Sequence, residues 1–276
     1  MIGSPSIDNP LPGGGMCLDL TGSLLSGGEE KTTDDWFSKL SKGSELPPDR
    51  AEELQEHGFV VLRSLVPSGQ MDHLARAYDT AVASAAEDDV HTGSTTMRVT
   101  DFVNRGAEFD DVYVFPPLLE ACCGIIGRPF KLSTMNARTL RSGAAAQELH
   151  ADVRRDSADW PLVGFILMVD EFRADNGATR FVPGSHHDLN APEDVMADLR
   201  ADHEGQVLAC GPAGSLLIFH GSAWHGHTAN TSARPRRSLQ GAFIPRDGRA
   251  STDFTTRMRP ETHARLSSIA QYVLHL

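Results

Sequence analysis

Two residues with metal-ligand chemistry stand two apart in "QELHADVRRD": His150 and Asp152. Alternate residues of an extended chain project to the same side, so a strand here would aim an imidazole and a carboxylate at one point. That pair suits a borderline divalent ion, and a second histidine would complete the two-histidine, one-carboxylate set that leaves three positions open for Fe(II) chemistry. H-x-D alone is a short motif with many false positives, and the same pair fits the polar side of a surface strand. The third ligand must come from elsewhere, and "GSLLIFHGSAWHGHTANTS" supplies His220, His225 and His227. His220 closes an apolar run and reads as a turn residue. His225 follows Trp224, a bulky ring suited to shielding a site from water, and His227 shares its face if the strand is regular. Spacing does not separate the three.

A keto acid bound at the open positions would need a cation at fixed reach for its far carboxylate. A guanidinium is suited, because its planar fork grips a carboxylate through two parallel hydrogen bonds. "ARPRRSLQGAFIP" offers Arg234, Arg236 and Arg237, with Ser238 on the same side as Arg236. Arg234 and Arg237 equally fit a basic turn on an acidic protein. Candidates for substrate contact are Trp224, Arg154 and Arg155 beyond the H-x-D pair, Arg138 on the preceding strand, and Arg98, Asn104 and Arg105 in the lid-like "TGSTTMRVTDFVNRGAEF". Cations of this kind suit a carboxylate or a phosphate.

The elements that must position these groups fall into two textures. Residues 1–32 are rich in Gly, Pro and Ser and read as a flexible arm. "TTDDWFSKL", "PPDRAEELQEHG", residues 67–86 and "PPLLEACCGIIG" read as helices, the second ending on a glycine in the C-terminal position. "FVVLRSLV" is a strand between the second and third, and 87–113 lack a period and read as a loop over a site or a poorly ordered segment. After residue 128 come short strand-like runs bounded by Gly, Pro and Asn: "FKLSTMNARTL", "QELHADV", "LVGFILMVDEF", "ATRFVPG", "GQVLACG", "GSLLIFHG", "AWHGHTAN" and "RRSLQGAFIP". Many short strands with regular turns argue for an antiparallel sandwich or jelly roll. The expected fold is mainly β with N-terminal helices, a double-stranded β-helix core with helices packed on one outer face, in a single domain over residues 33–276.

The net charge of −12 over 276 residues repels phosphate backbones and anionic lipid surfaces, which argues against nucleic acid and membrane partners. No apolar run approaches the ~20 residues that span a bilayer, and the N-terminus lacks the layout of a signal peptide. Cys17, Cys122, Cys123 and Cys210 show no C-x-x-C spacing, so a reducing, cytoplasmic setting is expected. The expected partner is a small molecule, and the oligomeric state is open.

In the order "EHGFVVLRSLV", "QELHAD", "DNGATRFVPGSHH", "GSLLIFHGSAWHGHTANTS" and "RPRRSL", the sequence resembles the phytanoyl-CoA dioxygenase group of Fe(II)/2-oxoglutarate-dependent oxygenases over roughly residues 56–246. The resemblance implies a jelly roll that takes Fe(II), 2-oxoglutarate and O2, with His150, Asp152 and His225 as metal ligands. It further implies Arg236, about eleven residues after the distal histidine, as the partner of the far carboxylate. Gln147 and Thr179 match positions that contact 2-oxoglutarate in relatives, and Ser238 could share the carboxylate. Because Asp152 stands where halogenating relatives lack a carboxylate, the resemblance implies hydroxylation or a related oxidation, with succinate and CO2 as co-products. Competing readings are a jelly-roll metalloprotein without 2-oxoglutarate, an inactive ligand-binding homologue, and a hydrolytic zinc site. "VPGSHH" reads as turn chemistry, with His186 and His187 beside the site or on the surface.

Overall fold

The computed structural model describes residues 33–157 and 160–276. The arm expected at 1–32 lies outside the described residues. The described residues form one compact unit.

Among the described residues, ten strands make two antiparallel sheets. β1 (Phe59–Leu62), β2 (Val90–Thr92), β3 (Thr96–Val99), β4 (Phe130–Leu140), β5 (Val163–Met168), β8 (Leu216–His220) and β10 (Arg236–Pro245) form a seven-stranded sheet in the order β1-β8-β5-β10-β4-β3-β2. β6 (Thr179–Phe181), β7 (Val207–Ala209) and β9 (His225–His227) form the smaller sheet, ordered β7-β6-β9. The helices are α1 (Thr33–Leu40), α2 (Pro48–His57), α3 (Ser68–Ala83), α4 (Pro116–Ile126), α5 (Pro192–Val195), α6 (Phe254–Arg257), α7 (Pro260–His263) and α8 (Ser268–Leu274).

β5 explains the layering. All six of its residues are buried, as expected of a central strand covered on both faces. Val163, Phe165 and Leu167 join the larger core beneath the helices, with Tyr78, Leu118, Phe130 and Tyr272. Ile166 and Met168 turn the other way, into a second core between the sheets with Phe59, Phe172, Phe181 and Phe219. The α+β jelly-roll expectation holds.

Two expectations change. "QELHADV" is no strand: one isolated bridge, His150 to His225, ties it to β9, and the chain then bends. The closely approaching backbone is Gly226, where an added Cβ would stand 2.9 Å from the Glu148 carbonyl oxygen. Residues 87–113, read as a loop, contribute β2, β3 and short 3-10 turns, and β3 extends the large sheet against β4. Their polar alternation hid them, because β2 and β3 form an edge hairpin with an exposed side.

Candidate metal centre and its cavity

The sandwich opens into a cavity of about 300 Å³. Its floor is the inner face of the large sheet, and strand register dictates which side chains arrive there. Arg98, Arg138, Ser238 and Met168 are successive cross-strand partners on β3, β4, β10 and β5. Asn136, Gln240 and Ile166 form the next row, and Thr134, Ala242, Gly164 and Phe219 the one after. Facing them, β6 and β9 present Thr179, Phe181, His225 and His227 as paired partners.

His150, Asp152 and His225 meet in this cavity, their ligand atoms all within 4.8 Å of one another. His150 Nε2 lies 3.7 Å and His225 Nε2 3.8 Å from the Asp152 carboxylate oxygens. Each imidazole is oriented from behind, with His150 Nδ1 3.0 Å from the Glu148 carbonyl oxygen and His225 Nδ1 2.9 Å from that of Ala223. A carbonyl can only accept, so both Nδ1 atoms carry the proton and both Nε2 lone pairs point inward, the arrangement metal-binding histidines use. Burial pushes the His225 imidazole down to about 4, which keeps it in the neutral, ligating form near neutrality. Among the described residues this is the one group of three or more His, Cys, Asp or Glu side chains so placed.

Arg236 also enters the cavity, only 2% exposed, its guanidinium stacked 3.8 Å from the Phe172 ring centroid. Its Nε and Nη1 have no hydrogen-bond partner. Burial, and next Arg138, push it down to about 9. Arg237 points to the opposite side, clamped by Asp170 and Asp79 at 2.7 Å, which raises its affinity for the proton.

The other sequence candidates divide. Gln147, Thr179, Arg138 and Arg98 line the cavity. Ser238 lies fully buried beneath it, donating to the Arg138 carbonyl oxygen and accepting from Gln240. Three substrate candidates are elsewhere. Asn104 ties Asp101 to the 257–259 backbone, Arg154 ion-pairs with Asp194 on the surface, and Trp224 packs with Leu149 and Val182. Trp224 misses the cavity because its neighbour His225 faces in, and successive strand residues face opposite ways. His220, expected at a turn, ends β8 and faces away from the cavity, beside His186 and Trp160.

Sequence reasoning missed Asn136, Gln240 and Thr134, which the register of β4 and β10 would have exposed had the pairing been known. It also missed Arg180, only 1% exposed, whose guanidinium donates to the carbonyl oxygens of Gln147, Leu199 and Ala201 and so anchors the ligand-bearing segment.

The model of the phytanoyl-CoA dioxygenase family matches residues 54–238, which hold all three metal-ligand candidates and Arg236. The chain belongs to the phytanoyl-CoA dioxygenase family. Among relatives of this family member, Dioxygenase trt7 of Aspergillus terreus is 26% identical over 221 residues, 72% of this chain and 73% of that protein. Dioxygenase cdmA of Talaromyces verruculosus is 36% identical over 111 residues, 36% of this chain and 35% of that one. The fold matches the epimerase SnoN, solved with Fe3+, alpha ketoglutarate and nogalamycin RO, at TM-score 0.59 and 18% identity over 71% of this chain and 82% of that one. It also matches HygX of Streptomyces hygroscopicus, solved with nickel, 2-oxoglutarate and hygromycin B, at TM-score 0.60 and 15% identity over 73% and 88%.

Proposed function

We propose that this protein is an Fe(II)- and 2-oxoglutarate-dependent dioxygenase that hydroxylates an unactivated C–H bond of a small, natural-product-type molecule, consuming O2 and releasing succinate and CO2. The observation that carries the reading is the pairing, in one cavity, of an inward-facing His-Asp-His set with a buried arginine whose N–H groups lack partners. The donor set fits Fe(II): two neutral imidazole nitrogens and one carboxylate oxygen leave half of an octahedron free. Bound there, the iron with the keto acid and O2 supplies the oxidising power for C–H cleavage.

The chain's own residues do the rest. His150, Asp152 and His225 hold the ion, and the Glu148 and Ala223 carbonyl oxygens fix the ring orientations. Arg236 receives the far carboxylate of 2-oxoglutarate, which gives its unpartnered N–H groups acceptors and its charge a counter-ion. Gln147 accepts a hydrogen bond from Arg138 through Oε1, so its amide N–H groups remain available to the near end, beside the Thr179 hydroxyl. Ile166 and Phe219 supply an apolar wall that excludes water from the reacting carbon. A metalloprotein working without the keto acid would leave Arg236 as a buried charge without a partner, which weighs against that reading. A cytoplasmic setting is part of the proposal, and Cys122, Cys123 and Cys210 are free thiols.

The test is an anaerobic titration of metal-free protein with Fe(II) and then 2-oxoglutarate. A saturable visible charge-transfer band is expected, lost in His225→Ala and weakened in Arg236→Ala. Folded, iron-loaded protein without a band would overturn the proposal.

A further inference from the structure

The cavity holds more positive charge than the co-substrate neutralises. Its lining includes three guanidinium groups, Arg98, Arg138 and Arg236, against the single carboxylate of Asp152. A divalent ion and a dianionic keto acid cancel one another, so two positive charges remain. Arg98 and Arg138 are direct cross-strand partners, a like-charge pairing that destabilises a sheet. Arg138 is largely buried yet has no carboxylate partner. It reaches only the side-chain oxygens of Gln240 and Gln147, each at 3.3 Å, and its Nε has no partner at all. Among the described residues no hydrogen bond or ion pair engages the Arg98 side chain, which stands exposed at the β3 edge of the cavity. Two adjacent cations held without counter-ions cost stability, and a ligand that supplies the missing anion recovers it.

We infer that the substrate is an acid, its carboxylate or phosphate seated between Arg98 and Arg138 and its apolar carbon skeleton lying against Ile166 and Phe219. This rests on the reading of the cavity given above. Arg98, at the edge, meets the anion as it enters. Arg138, one strand further in, fixes its depth and therefore which carbon faces the metal.

The test titrates Ni(II)- and 2-oxoglutarate-loaded protein calorimetrically with benzoate, phenyl phosphate and neutral benzamide. At least one anion is expected to bind saturably, ~10-fold or more tighter than benzamide, and Arg98→Gln and Arg138→Gln are each expected to weaken it ~10-fold. Whichever anion binds tighter identifies the headgroup as carboxylate or phosphate. Melting temperatures at or above that of the unmutated protein show that both variants are folded. In parallel, the anaerobic Fe(II)·2-oxoglutarate band is recorded for all three proteins and is expected to persist in Arg98→Gln. Benzamide binding as tightly as the anions, or anion affinity unchanged in both variants, overturns the inference. A band present in the unmutated protein but lost in Arg98→Gln assigns that arginine to the co-substrate, which overturns the inference and leaves the proposed function standing. A missing band in the unmutated protein overturns both.

Discussion

Replacing Arg236 by Met should make the metal-free protein more stable and the loaded protein less responsive to its keto acid. The side chain is 2% exposed, stacked on Phe172, and held down at about 9, well below the ordinary guanidinium value, first by burial and second by Arg138. The unfolded chain binds that proton more tightly, so the penalty is complete below pH 9, fades only as the pH rises above 9, and is whole at pH 7. A shift of this size sets a ceiling of about 5 kcal/mol. Water reaching the guanidinium through the cavity reduces it to ~2 kcal/mol, since effective burial costs fall well below the ideal ones. Methionine keeps the apolar stem over Phe172 and removes the charge, so the metal-free variant should melt ~4–8 °C higher, at about 2–4 °C per kcal/mol for a domain of this size. Ni(II) and then 2-oxoglutarate, each at about a hundred times its Kd, should each stabilise the unmutated protein by a further ~2.7 kcal/mol. The variant should show the nickel increment with little from the keto acid. Scanning fluorimetry of stripped, nickel-loaded and doubly loaded samples reads all of this. A metal-free variant that melts lower and keeps the full keto-acid increment would refute the reasoning.

Gly226→Ala puts a methyl group against the Glu148 and Gln147 carbonyl oxygens, so the segment carrying His150 must shift; Ni(II) affinity should fall ~10-fold with little loss of helix signal by circular dichroism. Arg180→Met strands the carbonyl oxygens of Gln147, Leu199 and Ala201 and should lower stability by ~3 kcal/mol in urea titration. His220 is held down to about 4, chiefly by burial. The unfolded chain therefore takes up this proton first, and stability falls as pH drops from about 6.5 to 4, by up to ~3 kcal/mol. In His220→Gln the urea midpoint should lose less over that interval than in the unmutated protein.

The long apolar strands were legible because period and length carry their own signal: β4, β5, β8 and β10 fall within the runs read from sequence, and α2 ends at the glycine expected. The candidate metal set was legible only through the order of several motifs, since spacing left His220, His225 and His227 equivalent. What separated them is register. β9 turns His225 and His227 inward as partners of Phe181 and Thr179, while His220 ends a strand of the opposite sheet and faces away. Trp224 was misread for the same reason, one residue's difference in which side of a strand faces the cavity. β3 stayed hidden because it is a short, half-exposed edge strand whose place depends on pairing with β4, a contact about forty residues distant that no local pattern encodes.

The ligand-bearing segment is joined to the smaller sheet at Gln147, by hydrogen bonds with His227 and Arg180, and then by the bridge between His150 and His225. Asp152 stands beyond that bridge, where the chain has already bent away. An ion gripping Asp152 and His225 together therefore acts as a cross-link between residues far apart in sequence, closing a long loop as a disulfide would. Iron supply then sets the lifetime of the protein as well as its turnover. Starved of metal, the chain should open first around residues 147–157, offering proteases a site that the loaded enzyme keeps closed.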